Sequence, residues 1–308
     1  MNRRLMTSSA LWLIVLAMAM SCRKQEEVVF TGNTIPAYDA IPTILVENYV
    51  NRLYIDLIGR EPTDEEMSAD VATLEGAGLS ETSRHQIIDK LMFSDQDVPG
   101  DTTSYSESYF FKFYSDTKAR LLEGTSQAII WEEYYLRYGV AILDSLNGNM
   151  IAYELGMLEA EKIMDILTCP QDLRAGTIDT REMYRRMIHN SLYDQINMNT
   201  FNFINASFDG CYYRFPTESE MDQCFAPIEY NGSGVLFGQV ITSKMEYLEV
   251  LLGNNEYEEG LVRWCFLSLL NREPSSTEIF NLLPLLESNY NCQNVQQYIL
   301  STDEYAGF

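Results

Sequence analysis

His189 is the residue best suited by type to take a proton or hold a metal ion. It stands in Arg185-Arg186-Met187-Ile188-His189-Asn190, with Tyr193 one helical turn on and Asp194 beyond. It has no H-x-x-x-H or E-x-x-H partner, and a single histidine so placed reads more simply as a hydrogen bonder at a helix end. Acids pair at Glu132-Glu133 and crowd at Glu154, Glu159 and Glu161, a composition suited to acid/base work or calcium. With 45 Asp and Glu in 308 residues, chance proximity accounts for such groupings. No D-x-D-x-D-G loop, G-x-S-x-G elbow, P-loop or G-x-G-x-x-G occurs. The expectation is no catalytic residue, no metal and no cofactor, with an enzyme built round His189 the least favoured reading.

Five cysteines, Cys169, Cys211, Cys224, Cys265 and Cys292, follow Cys22. None has C-x-x-C spacing, and His85 and His189 are the only histidines, so a zinc site is not expected. Five is odd, so at least one thiol stays free; Cys211 and Cys265 fall on apolar helical stripes and read as small core residues.

Aromatic residues are the more suggestive feature. Tyr105, Tyr109, Phe110, Phe111, Phe113 and Tyr114 share one helix, and Trp131, Tyr134, Tyr135 and Tyr138 the next. Rings on more than one face of a helix exceed what one core stripe uses. Packing within the core of a six-helix body is the favoured account; a surplus beyond it must pack on another domain, a partner protein or a sugar ring, and Trp131, Tyr134, Tyr135 and Tyr138 are the candidate binding aromatics. A nucleic-acid partner is not expected, because the formal charge of −24 leaves no basic face to neutralise phosphates.

The elements that position these residues follow from an internal pattern, R-x-P-[ST]-x-x-E, which occurs three times: Arg60, Pro62, Thr63 and Glu66; Arg214, Pro216, Thr217 and Glu220; Arg272, Pro274, Ser275 and Glu278. Proline ends one helix, and Ser or Thr with Glu three later caps the next, so each copy is a corner between two helices. The arginines are expected to cap helix C-termini or pair with acids. Apolar stripes flank the corners, such as Val46, Val50, Leu53 and Leu57 before the first and Val262, Cys265, Phe266 and Leu269 before the third. The pattern predicts an all-α helical bundle of three degenerate three-helix repeats (44–98, 200–257 and 258–308) with an inserted helical segment at 99–199. Within the insert, helices are expected at Tyr105 to Leu122, Ser126 to Leu146, Met150 to Leu167 and Thr180 to His189, with a break at Cys169-Pro170. The stretch Gly234 to Ile241 reads as a loop or helix start.

The run Leu269-Leu-Asn-Arg-Glu-Pro274 with Leu300-Ser-Thr-Asp-Glu-Tyr305 resembles the helical domains of phycobilisome linker polypeptides and an uncharacterised domain of bacterial extracellular proteins; Tyr54 to Met67 is similar. The resemblance covers about half of the chain. It implies an all-α fold and a scaffolding role, without transferable catalytic residues.

At the N-terminus Arg3 and Arg4 precede the apolar run Leu11 to Met20, which is too short to span a bilayer. It leads into Ala19-Met20-Ser21-Cys22, which resembles the lipobox of bacterial lipoproteins. The resemblance implies cleavage between Ser21 and Cys22 after a signal peptide at 1–21, acylation of Cys22 such as palmitate, and a tether at 22–43. An ordinary secretory peptide cut near Ala19 or Ser21 is the alternative. Arg23 after the cysteine, in place of the aspartate of inner-membrane retention, implies the outer membrane, with the charged run to Glu27 similar to surface-export tags. Cleavage would remove two arginines and no acid, leaving 45 acids against 19 bases, a formal −26. The function expected is therefore a lipid-anchored outer-membrane protein, held by acyl chains, with a structural or adaptor role toward another envelope protein. A carbohydrate-binding lipoprotein for nutrient uptake, taking a glycan on its aromatic residues, is the second expectation.

Overall fold

The computed structural model describes residues 41–286 and 290–308. The expected signal peptide, the Ser21-Cys22 cleavage and lipidation site and nearly all of the tether lie outside them. The fold is all-α. Helices α1 (Thr43–Ile58), α2 (Asp64–Gly76) and α3 (Glu81–Phe93) are followed by α4 (Tyr105–Leu121), α5 (Gln127–Leu146), α6 (Met150–Arg174), α7 (Thr180–Ile188) and α8 (Ser191–Asn197). Next come α9 (Thr200–Tyr212), α10 (Glu218–Tyr230), a two-stranded hairpin of β1 (Gly234–Leu236) and β2 (Gln239–Ile241), and α11 (Lys244–Leu252). The chain closes through α12 (Asn255–Leu270), α13 (Ser276–Leu282), a 3-10 turn at Leu283–Leu285, α14 (Cys292–Ser301) and α15 (Asp303–Ala306).

Local chemistry sets the helix ends. Thr63, Ser104 and Thr217 each accept a backbone N–H three residues on, while the glutamate there returns the bond, forming a full capping box. Asp64, Glu65 and Glu66 crowd the first turn of α2, where unpaired amide dipoles favour negative charge. The helices before the three corners all stop on a left-handed residue: Gly59 at φ 77°, Tyr213 at φ 59° and Asn271 at φ 52°. Glycine and asparagine adopt that conformation readily. Tyr213 does so at a cost offset by Arg120, whose guanidinium lies 3.6 Å from its ring centroid and donates to the carbonyls of Gly210 (3.1 Å) and Asp209 (2.5 Å).

The core is continuous from α1 to α15. Helix α4 runs through its middle: Phe113 meets Trp264 edge-on at 5.4 Å, and the Tyr109 hydroxyl donates to Gln296 at 2.5 Å. Helices α1 and α3 pack against the segment from α12 to α15. Tyr49 donates to the Leu300 carbonyl at 3.1 Å, Arg52 to the carbonyls of Tyr305 (2.6 Å) and Leu269 (3.2 Å), and Arg84 to that of Ser301 (2.8 Å). Helices α9 and α12 cross so closely at Gly260 that any side chain there would strike the Cys211 carbonyl.

Two local expectations are corrected. Gly234 to Ile241 is an antiparallel hairpin with Val235 opposite Val240, because Phe237 (φ 48°) and Gly238 (φ 79°) take the two left-handed positions of a tight turn that matches strand twist. The expected break at Cys169-Pro170 does not occur, and α6 runs on to Arg174. An interior proline costs about 3 kcal/mol. Burial of Ile166, Leu167, Cys169, Pro170 and Leu173 along α6 offsets it.

Candidate functional site

The three corners share one geometry. Arg60 donates both guanidinium arms to Glu66 at 2.7 and 2.8 Å, Arg214 to Glu220 at 2.8 and 2.8 Å, and Arg272 to Glu278 at 2.6 and 3.1 Å. The same glutamate accepts the backbone N–H of Thr63, Thr217 or Ser275, each at 2.7 Å. Each arginine also donates to the carbonyl of the residue that follows it, Glu61, Phe215 or Glu273. Each guanidinium further lies over the ring six residues before it: Tyr54 at 5.4 Å, Phe208 at 5.1 Å and Phe266 at 4.9 Å. A second acid completes two corners, Glu256 on Arg214 and Glu304 on Arg272, while at the first the Tyr105 hydroxyl donates to Glu66 at 2.5 Å.

These contacts set the charges. Burial pushes the Glu66 carboxyl up, but hydrogen bonds from Arg60, Tyr105 and the Thr63 amide overcome it and hold the pKa at about 2. Arg214 and Arg272, against a smaller opposing effect of burial, hold Glu220 and Glu278 at about 2. Arginine, proline and capping residues thus meet as ion-paired joints. The ring at the sixth position before each arginine was visible in the sequence as part of an apolar stripe; only its alignment across the three copies distinguishes it.

His189 caps the end of α7, its backbone N–H donating to the Arg185 carbonyl at 2.8 Å. Burial, reinforced by the charges of Lys162, Lys244 and Arg185, pushes the imidazole down to about 4, so it is neutral at pH 7. Of its neighbours, Asp194 is ion-paired with Lys244 and Tyr193 is buried. All five described cysteines are buried and unpaired. Burial raises the thiols of Cys169 and Cys224 to about 12, which keeps them protonated. An open groove of ≈ 1360 Å³ lies elsewhere, between the ends of α1 and α3, helix α4 and the last turn of α6. Most of its charged groups are paired, Arg174 with Asp95 and Glu107 and Lys112 with Asp116, while Asp101 accepts the backbone N–H groups of Thr102 and Thr103.

The aromatic residues divide. On α4, Tyr105, Tyr109, Phe110, Phe113 and Tyr114 are buried and Phe111 alone is exposed. On α5 the rings form a surface cluster: Trp131 stacks on Tyr135 at 5.7 Å, Tyr134 stacks on Tyr138 at 6.0 Å, and Tyr134 meets both Trp131 and Tyr135 edge-on. Trp131, Tyr135 and Tyr138 are exposed and Tyr134 is half-buried.

This cluster belongs to a projecting hairpin of α5 and α6. Between Tyr134 and Glu159 only Ala141 is buried, and it meets α6 where Gly156 leaves no room for a side chain. The root is fixed to the body by buried Ile130 and by Glu133, which accepts from Arg137 (2.7 Å), Gln195 (2.8 Å) and Ser191 (3.3 Å). Measured from Ala141 at 100° per residue, Trp131, Tyr135 and Tyr138 fall on one flank of α5, and Leu136, Val140 and Leu143 on the other. Helix α5 is thus apolar nearly all round, a pattern otherwise found in helices that are covered.

No protein-family model matches this chain, and no curated protein or solved structure matches it either. Among the described residues no helix is long and apolar enough to cross a membrane, and no group of acids, cysteines and histidines could hold a metal ion.

Proposed function

We propose that this chain is a lipid-anchored outer-membrane protein with a structural or adaptor role, attached by acyl chains on Cys22 and presenting the aromatic flank of the α5–α6 hairpin to another envelope protein. The observation that carries the reading is the surface cluster of exposed Trp131, Tyr135 and Tyr138 around half-buried Tyr134, on a hairpin rooted at one end only. Aromatic residues on a preorganised helical face bury large area with little loss of side-chain freedom, and they dominate interface energetics. The lipobox-like Ala19-Met20-Ser21-Cys22 supports the anchor. The acidic body is compatible with it, because two or three acyl chains hold without surface electrostatics.

The test joins two measurements on intact cells. Labelled palmitate should enter the wild-type chain and not Cys22→Ala, and added protease should report which side of the membrane the body faces. A photo-crosslinking residue at Tyr135 should trap one envelope protein, and Trp131→Ala with Tyr138→Ala should abolish that adduct without lowering the melting temperature. Palmitate entering Cys22→Ala, or an adduct indifferent to both ring deletions, would sink the reading. A glycan ligand is the second reading, favoured by exposed ring faces on Trp131 and Tyr135; binding on a glycan array that is lost in Trp131→Ala would replace the first.

A further inference from the structure

The flank of the hairpin opposite the aromatic cluster has a different chemistry. In two antiparallel helices facing each other at Ala141 and Gly156, the side of α5 bearing Leu136, Val140 and Leu143 continues onto the side of α6 bearing Ile151, Leu155 and Leu158. All six side chains are between 49% and 74% exposed. They expose roughly 600 Å² between them, at the upper limit for a patch on a solitary soluble chain. With the hairpin's edges the face approaches the ~800 Å² that each partner contributes to a stable protein pair.

We propose that this aliphatic face is covered by the same face of a second copy, so that two α5–α6 hairpins form a four-helix bundle across a twofold axis. A twofold axis requires a self-complementary patch, and a flat pair of antiparallel helices with one aliphatic face meets that condition. Charge selects the orientation. Lys162 lies on this flank near the root and Asp144 lies near the tip, where among the described residues no ion-pair partner reaches it. Copies docked root to tip bring each Lys162 toward the partner's Asp144; copies docked tip to tip bring like charges together. Lys162 holds Glu159 at 2.6 Å with one of three donors, which leaves two for the second copy.

Charge also argues against lipid as the cover. From Tyr138 to Leu158 the chain has two acids, Asp144 and Glu154, and no lysine or arginine, whereas helices that lie in a membrane surface carry basic flanks that meet anionic headgroups. The pairing uses the flank opposite the aromatic cluster, and it stands whether or not Cys22 is acylated.

The test uses the full chain carrying Cys22→Ser, so that acyl chains make no contribution. Sedimentation from micromolar concentration upward should give a dimer. Leu143→Glu and Leu155→Glu, each placing a charge in the face, should weaken it by about 100-fold or more without changing the melting temperature measured on the monomer. Val140→Cys, near the axis, should form a disulfide between copies under mild oxidation, while Ile151→Cys at the tip should not. A wild-type chain that stays monomeric, a dimer that survives both glutamates, or a dimer linked through Ile151→Cys alone would overturn the proposal. A monomer that floats with phosphatidylglycerol vesicles, and loses that property in Leu155→Glu, would identify lipid as the occupant instead. Trp131→Ala should leave the dimer intact, which separates this result from failure of the aromatic-face reading.

Discussion

The guanidinium of Arg120 lies 3.6 Å from the ring centroid of Tyr213 and secures a tyrosine in left-handed backbone at φ 59°. Two hydrogen bonds to the end of α9 come from the same side chain. Arg120→Ala should therefore destabilise the protein by about 2 kcal/mol, since it removes charged hydrogen bonds and the stack together. Tyr213→Gly should cost less than Tyr213→Ala, because both lose the ring but glycine relieves the backbone strain. Urea unfolding of the three variants measures this; an alanine variant as stable as the glycine one would refute the strain argument.

The corners should make the protein sensitive to acid. Glu66, Glu220 and Glu278 have folded pKa values of about 2, below those of an unfolded chain near 4.3. The unfolded state therefore binds protons first. The stabilisation is complete above about pH 4.5 and is lost as pH falls toward 2. Glu66→Gln should have the largest effect of the three amide substitutions, about 1–3 kcal/mol, because its carboxylate is the most buried and glutamine keeps one uncharged acceptor oxygen where two carboxylate oxygens served Arg60, the Tyr105 hydroxyl and the Thr63 amide. Melting temperatures between pH 2 and pH 7 should show a shallower acid limb in that variant.

His189 predicts a separate, milder slope. Its folded pKa of about 4 lies below the 6.5 of an exposed imidazole. The stabilisation is whole above pH 6.5 and declines as pH falls toward 4, because only the unfolded chain takes up the proton there. His189→Gln should flatten the stability curve between pH 4 and pH 6.5 and leave the glutamate-driven limb below it; proton titration by NMR gives the pKa directly.

Two glycines should respond in opposite ways to the same substitution. A Cβ at Gly260 would fall 2.0 Å from the Cys211 carbonyl oxygen, so Gly260→Ala must push α9 and α12 apart and should cost about 3 kcal/mol. A Cβ at Gly139 would meet nothing within 4 Å, and Gly139→Ala should stabilise α5 by up to about 1 kcal/mol. Paired chemical denaturation curves decide both.

What could be read in advance was what is encoded locally. The R-x-P-[ST]-x-x-E corners were legible because proline, cap and glutamate each act within a few residues, and the helices before and after them followed. The hairpin at 234–241 was missed because its turn puts Phe237 in left-handed backbone, where a glycine or asparagine is the usual signal. The continuation of α6 through Pro170 depends on burial against distant helices, which no local pattern reports. Ring density on α4 and α5 looks alike in sequence; only the arrangement of the other helices buries the first set and leaves the second exposed.

The bond from Tyr49 to the Leu300 carbonyl spans 251 positions, and Arg84 reaches Ser301 across 217. Helix α1 leaves the ribosome early, yet the surface that covers Tyr49 emerges only after almost every other helix has been made. Its apolar side, with Val46, Val50 and Leu53, must wait exposed during synthesis. A chain stalled short of residue 300 would carry an open seam into the cell's quality control, so the packing of α1 is gated by the emergence of α14.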